Sequence, residues 1–368
     1  MEIIGIICEY NPFHNGHAYH INKIKEMYPD SLIVLVLNGY FLERGEISII
    51  SKEDKTKIAL ENNVDLVVEL PFVFGSESAD TFAEASTIIL NYLNVNKLIF
   101  GSECNDIKLL RSIAEKQLDG SFNEKIKEAL KEGVNYPTAL NKSIGVSINT
   151  PNDLLAVSYI KSIIKNKLKI EAIPIKRTSD YHDTTSNDEI ISATNIRTKL
   201  KEGTDISNYT NYASYFKEIN EDLLFKLIKT KIITDKDLNK YLTVDEGIEN
   251  KLIKEINKSK DYEDFILKIK SKRYTYNRIK RMLIHILIGL TKEDRKNMFV
   301  KYIKVLGFNS KGQKYLKSLN PSLPITSKIS TDYKEEQYEL IASQIYDLLT
   351  NSDTFKFEIS NKPIKKSD

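Results

Sequence analysis

The first 200 residues of this 368-residue chain alternate short apolar runs with longer amphipathic stretches, and this alternation constrains the fold more than any other feature. The apolar runs are predicted strands, at residues 3–7, 32–37, 64–70, 97–100 and 170–175. The amphipathic stretches are predicted helices, at residues 52–62, 81–91, 123–131 and 154–165. Because strands this apolar must be covered on both faces, the pattern predicts an α/β fold with a Rossmann-like parallel sheet.

The pattern changes to helix after about residue 205. The later predicted helices span residues 222–229, 246–258, 261–270 and 276–290. A chain of this length is long enough for two domains of ordinary size. We therefore predict an α/β domain at residues 1–205 and a mainly helical domain at residues 206–368.

The net charge of +3 conceals a basic region in the second predicted domain. Residues 251–317 contain 19 Lys and Arg against 6 Asp and Glu. Such a local excess attracts polyanions, and RNA is the obvious cytoplasmic one. A solvated face on otherwise ordinary helices is the alternative interpretation.

The chain lacks the sequence marks of a membrane or exported protein. No apolar run approaches the roughly 20 residues that cross a bilayer, and the N-terminus lacks a signal-peptide pattern. Cys8 and Cys104 are too few for a disulfide framework or a cysteine zinc site, so we expect buried reduced thiols. We expect a cytoplasmic protein that does not contact membranes.

The most informative motif is Glu-Tyr-Asn-Pro-Phe-His-Asn-Gly-His at residues 9–17, directly after the first predicted strand. Apolar residues follow it at helical spacing, so it lies at a helix N-terminus, where free N–H groups and the helix dipole favour an anion. His14 and His17 face the same way, and Gly16 lets the anion approach the backbone. The turn therefore predicts a grip for nucleotide phosphates. A zinc site that adds His20 lacks a nearby carboxylate, and we predict no metal site.

A second motif, Ile-Ser-Ala-Thr-Asn-Ile-Arg at residues 191–197, supplies further phosphate-binding groups. The hydroxyls of Ser192 and Thr194 and the guanidinium of Arg197 can bind phosphate oxygens at the start of a helix. By itself the segment is a weak signal, because a Ser or Thr helix cap is an ordinary structural feature. In one domain with the histidine turn, it predicts a second wall of the same site.

The residues directly after the predicted strands are small, polar or charged. They lie at positions 11–17, 38–39, 71–72, 101–103 and 177–178. Ligands of open parallel sheets collect beyond the carboxyl ends of the strands. We therefore expect these residues to share one ligand cleft.

Together the two motifs resemble the signatures of the nucleotidyltransferase superfamily, which includes class I aminoacyl-tRNA synthetases and several adenylyltransferases. The turn is more closely similar to the bacterial tRNA(Met) cytidine acetate ligase family, with Cys8 in place of a valine. Tyr40 and Glu43 stand where Asp and Gln are expected, which leaves the role of residues 39–46 open, although Arg44 is retained. Further similar segments, spread over nearly the whole chain, lie at residues 69–72, 100–103, 151–153, 181–183, 273–275, 278–287 and 306–309.

This resemblance implies an ATP-dependent acetate ligase. Such an enzyme activates acetate as acetyl-adenylate with release of pyrophosphate. It then transfers the acetyl group to the exocyclic amine of the wobble cytidine of elongator tRNA(Met), giving N(4)-acetylcytidine. The implied cofactor is ATP, expected with Mg²⁺; the implied partners are acetate and that tRNA, and no protein partner is predicted.

The resemblance also assigns residues to roles. The catalytic contacts with phosphate fall on His14, His17, Ser192, Thr194 and Arg197. ATP binding falls on Ile7, Cys8, Glu9, Tyr10, Asn11, Pro12, Phe13, His14, Asn15, Gly16, His17, Ala18, Tyr19, His20, Gly101, Asn152, Arg177 and Thr178.

Several single residues have two interpretations. Asn152 either contacts adenine or ribose or caps the helix that begins there. Arg177 either lines the cleft or is a surface charge, and Glu103 either holds a backbone amide or takes part in the chemistry. His182 and Asp183 either orient substrate or form a turn.

Cations and aromatic residues mix in the basic region. Cations neutralise phosphates, and tyrosines stack on unpaired bases, as in the recognition of single-stranded loops. The alternative is an amphipathic helix whose basic face is merely wet. The residues predicted to bind tRNA are Arg273, Tyr274, Arg278, Lys280 and Arg281.

Two other functions use the same motifs. An adenylyltransferase acting on a small cofactor precursor would release pyrophosphate without needing tRNA. A non-catalytic RNA-binding module would retain a degenerate nucleotide fold. Acetate-dependent exchange between ATP and pyrophosphate would exclude the module, and acetate label in acetylcytidine would exclude the adenylyltransferase.

Overall fold

A computed structural model describes residues 1–131, 138–139, 150–177, 190–330, 332–360 and 362–367 of the chain. None of the helices in these ranges is long and apolar enough to span a membrane. The strands are β1 (Ile3–Cys8), β2 (Leu32–Asn38), β3 (Leu66–Leu70), β4 (Lys97–Ser102), β5 (Glu171–Lys176), β6 (Ile303–Phe308), β7 (Ile325–Thr326) and β8 (Ile364–Lys365). The α-helices are α1 (Asn15–Met27), α2 (Lys52–Glu61), α3 (Phe72–Gly75), α4 (Ala79–Tyr92), α5 (Ile107–Leu118), α6 (Gly120–Lys131), α7 (Pro151–Lys165), α8 (Ala193–Lys201), α9 (Glu221–Thr234), α10 (Ile248–Ile256), α11 (Tyr262–Ile269), α12 (Tyr276–Ile288), α13 (Lys292–Lys296), α14 (Ser310–Ser318), α15 (Lys334–Thr350) and α16 (Phe355–Ser360).

The described strands form one sheet in the order β5-β4-β1-β2-β3-β6-β7, with β8 paired to β6. Strands β1 to β5 run parallel to their neighbours, whereas β6 runs antiparallel to β3. The first five strands have the doubly wound arrangement, in which the order reverses between β1 and β4. A ligand crevice opens beyond the carboxyl ends of the strands at such a reversal. The predicted α/β class with a Rossmann-like parallel sheet is confirmed.

The central strands are apolar throughout because both faces of the sheet are covered. All residues of β2 and β3 are buried. Successive side chains point to opposite faces, so Leu32 and Val34 pack in one core while Ile33 and Leu35 pack in the other. The rigid sheet between the two cores holds the turn after β1 in place.

The second half of the chain contributes both a helical cluster and part of the sheet. Helices α9 to α12 pack on one another, with the rings of Phe225 and Phe265 6.1 Å apart. Strand β6 extends the sheet beside β3 and is buried along its whole length. The pattern predicted for residues 206–368 omitted this strand, because Lys304 interrupts its apolar run. The domain boundary at residues 205 and 206 stays a prediction.

Five charged side chains from distant parts of the chain form a buried group, here called the ionic cluster. The Lys52 ammonium contacts the Glu69 carboxylate and lies 2.7 Å from those of Glu339 and Glu358. The Lys304 ammonium lies 2.6 Å from Glu358 and 3.5 Å from Glu69. Because these groups come from α2, β3, β6, α15 and α16, the cluster joins the last helices to the sheet.

Candidate active site

A cavity of about 1220 Å³ lies beyond the carboxyl ends of β1 and β4, where the order of the sheet reverses. Its walls include the turn after β1, the start of α8, the end of β4, Arg177 after β5, and arginines in and before α12. This volume exceeds the roughly 300–1,000 Å³ of a typical small-molecule pocket. The cavity therefore has room for a nucleotide and for part of a second substrate.

His14 and His17 hold each other in position at the start of α1. Nδ1 of His14 accepts a hydrogen bond from the Gly16 N–H at 3.0 Å, and Nδ1 of His17 accepts one from the His14 N–H at 3.2 Å. The ring centroids lie 4.0 Å apart. Because each Nδ1 accepts, each neutral ring carries its proton on Nε2. Both rings line the cavity, and each offers one N–H donor.

The imidazoles of this turn are neutral at pH 7. Burial and the guanidinium groups of Arg177 and Arg197 lower the pKa of His14 to about 3. Burial, together with His14 and Arg177, holds the pKa of His17 well below its usual range. Burial and Arg177 lower the pKa of His20 to about 4. A polyphosphate bound beside these rings would oppose the shifts, because it brings negative charge to groups that now face cations.

Gly16 is required by the histidine pair as well as by a ligand. A Cβ at this position would lie 2.8 Å from Cε1 and 3.0 Å from Nδ1 of His14. A side chain would therefore push the His14 ring out of the position in which it accepts the Gly16 N–H. The sequence prediction assigned this glycine to the approach of an anion, and the structure adds its contact with the ring.

Ten of the fourteen turn residues predicted to bind ATP line the cavity, and Pro12, Phe13, Asn15 and Ala18 do not. Phe13 is 2% exposed and packs edge-on against Tyr212, with their centroids 5.5 Å apart. The Asn15 side chain donates to a backbone carbonyl of the second half at 2.9 Å. Phe13 and Asn15 therefore support the turn from behind, and the predicted contact of the four residues with ATP stays a prediction.

The second motif reaches the same cavity through Arg197. Its Nη1 donates to the Asn11 carbonyl at 2.6 Å, and its Nη2 donates to the Glu46 carboxylate at 2.9 Å. Ser192 is the N-cap of α8, and its Oγ accepts from the backbone N–H three residues later at 3.2 Å. The ordinary capping role left open for Ser192 is thus present. Because Thr194 and Arg197 also line the cavity, the motif and the histidine turn are two walls of one site.

Glu103 organises the wall that follows β4. Its carboxylate accepts hydrogen bonds from the Asn152 side chain at 2.5 Å and from the Asp153 backbone N–H at 3.1 Å. Nε of Arg177 lies 3.5 Å from the same carboxylate. The interpretation of Asn152 as a helix cap is wrong, since Thr150 is the N-cap of α7. Glu103 does hold a backbone amide, and it keeps Asn152 and Arg177 on the cavity wall.

Gly101 lines the cavity near the end of β4. A Cβ there would lie 3.2 Å from Cγ of Arg177, so glycine lets that side chain cross the strand end. Thr178, which was predicted to bind ATP, lies outside the described residues. His182 and Asp183 lie outside them as well.

The strand ends do not all face this cavity. Residues after β1 and β5 line it, as does Gly101 within β4. Residues 38–39 at the end of β2 and residues 71–72 after β3 do not. The side chain of Asn38, at the end of β2, is buried and donates to the Glu9 carboxylate at 2.8 Å. Phe72, after β3, donates its N–H to Glu339 of the ionic cluster at 2.7 Å. The expectation of one cleft across all five ends is wrong for these two, because the last helices cover that part of the sheet.

Cations of the second half form the opposite wall. Arg273, Arg278 and Arg281 line the cavity, whereas Lys280 does not. The Arg278 guanidinium stacks on the Tyr274 ring, 4.2 Å from its centroid. Tyr274 is 4% exposed, and its hydroxyl donates to a backbone carbonyl. The Tyr274 ring is therefore already packed, and the predicted contact of Tyr274 with tRNA stays a prediction.

Each of these cations lies near a carboxylate. The nitrogen-to-oxygen distances range from 3.1 to 3.9 Å, and the groups are partly exposed, so the pairs contribute little stability. The pairs are Arg273 with Glu246, Arg278 with Asp245, Lys280 with Glu46, and Arg281 with Glu43.

Sequence reasoning missed one segment of the wall, the loop at residues 42–46. Leu42, Glu43, Arg44 and Glu46 all line the cavity. Burial raises the pKa of the Glu43 carboxyl, although a neighbouring arginine opposes the shift. The similarity of residues 39–46 to the family was the available signal, and its departures from the family pattern weakened it.

One of those departures lies away from the cavity. Tyr40 is 1% exposed, and its hydroxyl donates to Glu358 of the ionic cluster at 2.7 Å. Its ring also lies 4.7 Å from that of Tyr346. The tyrosine at this position therefore belongs to the packing of the last helices.

The cysteines differ from expectation. Cys104 is exposed, and Cys8 is partly exposed in the cavity wall, so the prediction of two buried thiols is wrong. Desolvation raises the pKa of Cys8 to about 12. Cys8 is therefore a protonated thiol at pH 7, which is a poor nucleophile.

Within the described part of the chain, one set of three acidic side chains lies close enough to share an ion. It is Glu69, Glu339 and Glu358 of the ionic cluster, with ligand atoms within 4.8 Å of one another. The ammonium groups of Lys52 and Lys304 lie among these carboxylates. Two ammonium groups already occupy the space among the three carboxylates, so the group does not fit a metal ion.

Comparison with known proteins identifies one matching family and several similar proteins. The family described as HIGH Nucleotidyl Transferase matches residues 1–360. The tRNA(Met) cytidine acetate ligase of Mycoplasmopsis pulmonis is 43% identical over an alignment of 296 residues, which covers 78% of this chain and 99% of that protein. The tRNA(Met) cytidine acetate ligase of Bacillus subtilis is 35% identical over 384 residues, covering 95% of this chain and 92% of that protein.

Solved structures are similar over the whole chain. The crystal structure of apo Thermotoga maritima TmcAL has a TM-score of 0.90 and 26% sequence identity, and 100% of both chains is covered. The same protein bound with alpha-thio ATP has a TM-score of 0.87 and 26% identity, again over 100% of both chains. The similarity in fold therefore extends over both halves of the chain.

Proposed function

Because the chain belongs to the tRNA(Met) cytidine acetate ligases of the HIGH nucleotidyl transferase family, we propose that it acetylates the wobble cytidine of elongator tRNA(Met) through acetyl-adenylate. The chain is an ATP-dependent ligase of that family. Beyond this family activity, we propose the acetate donor, the adenylate intermediate, the elongator tRNA and the role of each residue. The proposed product is N(4)-acetylcytidine.

In the first step, an acetate oxygen attacks the α-phosphorus of ATP, and pyrophosphate leaves with the electron pair of the broken bond. The Nε2–H groups of His14 and His17 bind phosphate oxygens, and these contacts strengthen as negative charge develops during the attack. Arg197, with Ser192 and Thr194, binds the β- and γ-phosphates. Holding acetate in line with the α-phosphorus can supply about 7–11 kcal/mol of the barrier reduction.

The charges of the cavity suit this step. Arg177 and Arg197 supply full positive charge, while the imidazoles donate hydrogen bonds as neutral groups. Asn152 and the Gly101 backbone, on the β4 side, are proposed to contact adenine or ribose. Because Glu103 holds both Asn152 and Arg177, the nucleotide meets donors that are already oriented.

In the second step, the exocyclic amine of cytidine attacks the carbonyl carbon of acetyl-adenylate. A C–N bond forms, the C–O bond to the phosphate breaks, AMP leaves, and one proton of the amine is released. Arg273, Arg278 and Arg281 are proposed to bind tRNA phosphates beside the cavity. The cytidine then enters the space that the nucleotide leaves free.

One observation carries this proposal: a single cavity unites the histidine pair, Arg197 and the arginines of the second half. A basic helix face that only contacts solvent is not expected to line the same cavity as the histidine pair. An enzyme that joins an activated acyl group to RNA needs both walls to face one space. The shared cavity therefore supports the ligase over the other two functions.

ATP is expected to bind as its Mg²⁺ complex. Mg²⁺ usually keeps several waters and takes one or two carboxylates together with substrate phosphates. Among the residues described, the close set of three carboxylates lies in the ionic cluster and not at the cavity. We therefore expect the ion to stay on the ATP phosphates, and no proposed step uses a metal ion held by the protein.

The proposal is tested by incubating the protein with ATP, labelled acetate and total bacterial tRNA, followed by nucleoside analysis. The expected result is label in N(4)-acetylcytidine. A tRNA(Met) transcript with uridine at the wobble position is the matched control and should stay unlabelled. Label confined to a small-molecule product would support the adenylyltransferase instead. Absence of acetate-dependent exchange between ATP and pyrophosphate would favour the binding module.

A further inference from the structure

The loop at residues 42–46, here called the bridging loop, touches both the nucleotide wall of the cavity and helix α12. We propose that this loop positions α12, so that a cytidine held by the helix meets the adenylate. The inference rests on the proposed function and adds Gly45 and Glu43 to it as positioning residues. Both residues act through α12 and not by contact with the reacting atoms.

Gly45 brings the bridging loop into backbone contact with α12. Its φ is +70°, in the left-handed region that favours glycine. A Cβ at this position would lie 2.3 Å from the Arg281 backbone nitrogen and 2.5 Å from the Lys280 carbonyl carbon. Both atoms belong to the backbone of a helix, so neither can rotate away. The loop and the helix therefore meet at a contact that excludes any side chain.

The bridging loop is a tight turn that holds this contact in place. The Leu42 N–H donates to the Glu46 carbonyl at 2.9 Å, and the Gly45 N–H donates to the Leu42 carbonyl at 2.8 Å. On the helix side, Nη1 of Arg281 donates to the Glu43 carbonyl at 3.0 Å and to its carboxylate at 3.1 Å. The Arg281 side chain of α12 thus holds the loop through both the backbone carbonyl and the carboxylate of Glu43.

The other side of the bridging loop is attached to the histidine turn. The Glu43 N–H donates to the Glu9 carboxylate at 2.8 Å. The Glu46 carboxylate accepts from Arg197 at 2.9 Å, and Arg197 also donates to the Asn11 carbonyl at 2.6 Å. Glu9 and Asn11 both belong to the turn that carries the histidine pair. A short chain of direct contacts therefore links α12 to the phosphate-binding wall.

The two half-reactions depend on this link to different degrees. Formation of acetyl-adenylate needs ATP and acetate in the first wall. Acetyl transfer needs the cytidine amine within about 3–3.5 Å of the carbonyl carbon, and a misplacement of about 1 Å costs roughly 100-fold in rate. Because RNA is held by α12 and the adenylate by the histidine turn, the bridging loop sets the distance between them.

The test is Gly45→Ala, with Gly203→Ala as a matched control. Gly203 has a φ of +71°, and a Cβ on it would have no atom within 4 Å, so its substitution adds the same backbone strain without a clash. In Gly45→Ala, single-turnover acetyl transfer should fall about 100-fold. Acetate-dependent exchange between ATP and pyrophosphate, and the Kd for tRNA(Met), should stay within about threefold of the unsubstituted protein. The Gly203→Ala protein should keep all three values.

Two results would overturn the inference. Transfer at the normal rate in Gly45→Ala would show that the loop does not position α12. An equal loss of exchange and transfer would show that its role is merely structural. If Gly45→Ala does not fold, Glu43→Ala keeps the backbone carbonyl contact with Arg281 but removes the carboxylate contact, and it should slow transfer a few-fold with exchange unchanged. Unchanged transfer would then reject the inference. Failure of the unsubstituted protein to acetylate tRNA would instead reject the proposed function.

Discussion

The active-site cavity and the ionic cluster both bury polar and charged groups, but they balance charge in opposite ways. In the ionic cluster, three carboxylates share the ammonium groups of Lys52 and Lys304, and no side chain is more than 4% exposed. In the cavity, Arg177 and Arg197 lie beside histidines whose pKa values are lowered, so those rings stay neutral. In the ionic cluster the carboxylates already contact ammonium groups and do not line the cavity, whereas in the cavity neutral N–H donors beside two arginines favour an anion.

The burial of charge therefore serves stability in one region and binding in the other. Although burial acts against it, Lys304 and Lys52 hold the pKa of Glu358 at about 2. That carboxylate is therefore ionised at pH 7 and cannot lose a cation without a large penalty. Substitutions in the cluster should change unfolding, and substitutions in the cavity should change activity.

The largest expected effect is on stability, from Lys52→Met. This change leaves three buried carboxylates with one cation, and breaking such a group typically costs about 3–5 kcal/mol. Urea denaturation of the purified protein measures the loss. Lys57→Met, on the same helix but 38% exposed, is the control and should change the free energy of unfolding by less than about 0.5 kcal/mol. Equal losses of unfolding free energy in Lys52→Met and Lys57→Met would contradict the stabilising role of the ionic cluster.

The next effect is on activity, from His17→Ala. Removing one donor to the developing charge should slow adenylation by about 100- to 1000-fold. Acetate-dependent exchange between ATP and pyrophosphate measures this rate. Urea denaturation of the same protein should show a much smaller change than that of Lys52→Met. Lys23→Ala, an exposed change on α1, is the control, and full exchange activity in His17→Ala would contradict the assignment.

Without a ligand, the cavity histidine His14 and the core histidine His285 should make the same pH-dependent contribution to stability. Burial, with neighbouring arginines, lowers the pKa of His14 and of His285 to about 3. Because this lies below the ordinary value of about 6.5, the unfolded chain takes up the proton first. Each ring's contribution to stability is therefore complete above pH 6.5 and is lost as the pH falls towards 3, by up to about 1.4 kcal/mol per pH unit.

Bound ATP should change the pKa of His14, which lines the cavity, and not the pKa of His285. The phosphates favour the charged imidazole, so the pKa of His14 should rise towards its usual value. His285 is fully buried between Ser76 and Thr243 and should not respond. Titration of the imidazole NMR signals with and without ATP measures both values. An equal shift in the two rings would show that ATP acts through the whole fold.

The smallest expected effect is on RNA binding, from Arg278→Gln with Arg281→Gln. Loss of two phosphate contacts should reduce the slope of log affinity against log salt by about 1.4 to 1.8. Filter binding of tRNA(Met) at several salt concentrations measures the slope. Arg111→Gln, an exposed change on α5, is the control. Binding that does not depend on salt, or an unchanged slope, would count against RNA binding by α12.

Much of the first wall could be predicted because its signals are local. The apolar run of β1, the helical spacing of α1 and the histidines between them are within the first 27 residues. The strand-helix alternation likewise predicted the doubly wound sheet. Strand β6 could not be predicted in this way, since Lys304 breaks its pattern and finds its partners only in the ionic cluster. The burial of the Tyr274 ring could not be predicted for a similar reason, because its sequence context does not reveal that the ring is covered.

By itself, the sequence determined the chemistry that is available: two imidazoles at a helix start, a Ser/Thr and Arg motif, and a basic second half. Only the tertiary structure decided which of these groups are neutral, which arginines face the cavity, and how the bridging loop links its walls. Glu43 and Arg281, for example, are 238 residues apart and yet form one contact. The physical reason is that backbone periodicity and helix capping act over a few residues, whereas desolvation and ion pairing depend on which distant segments pack together.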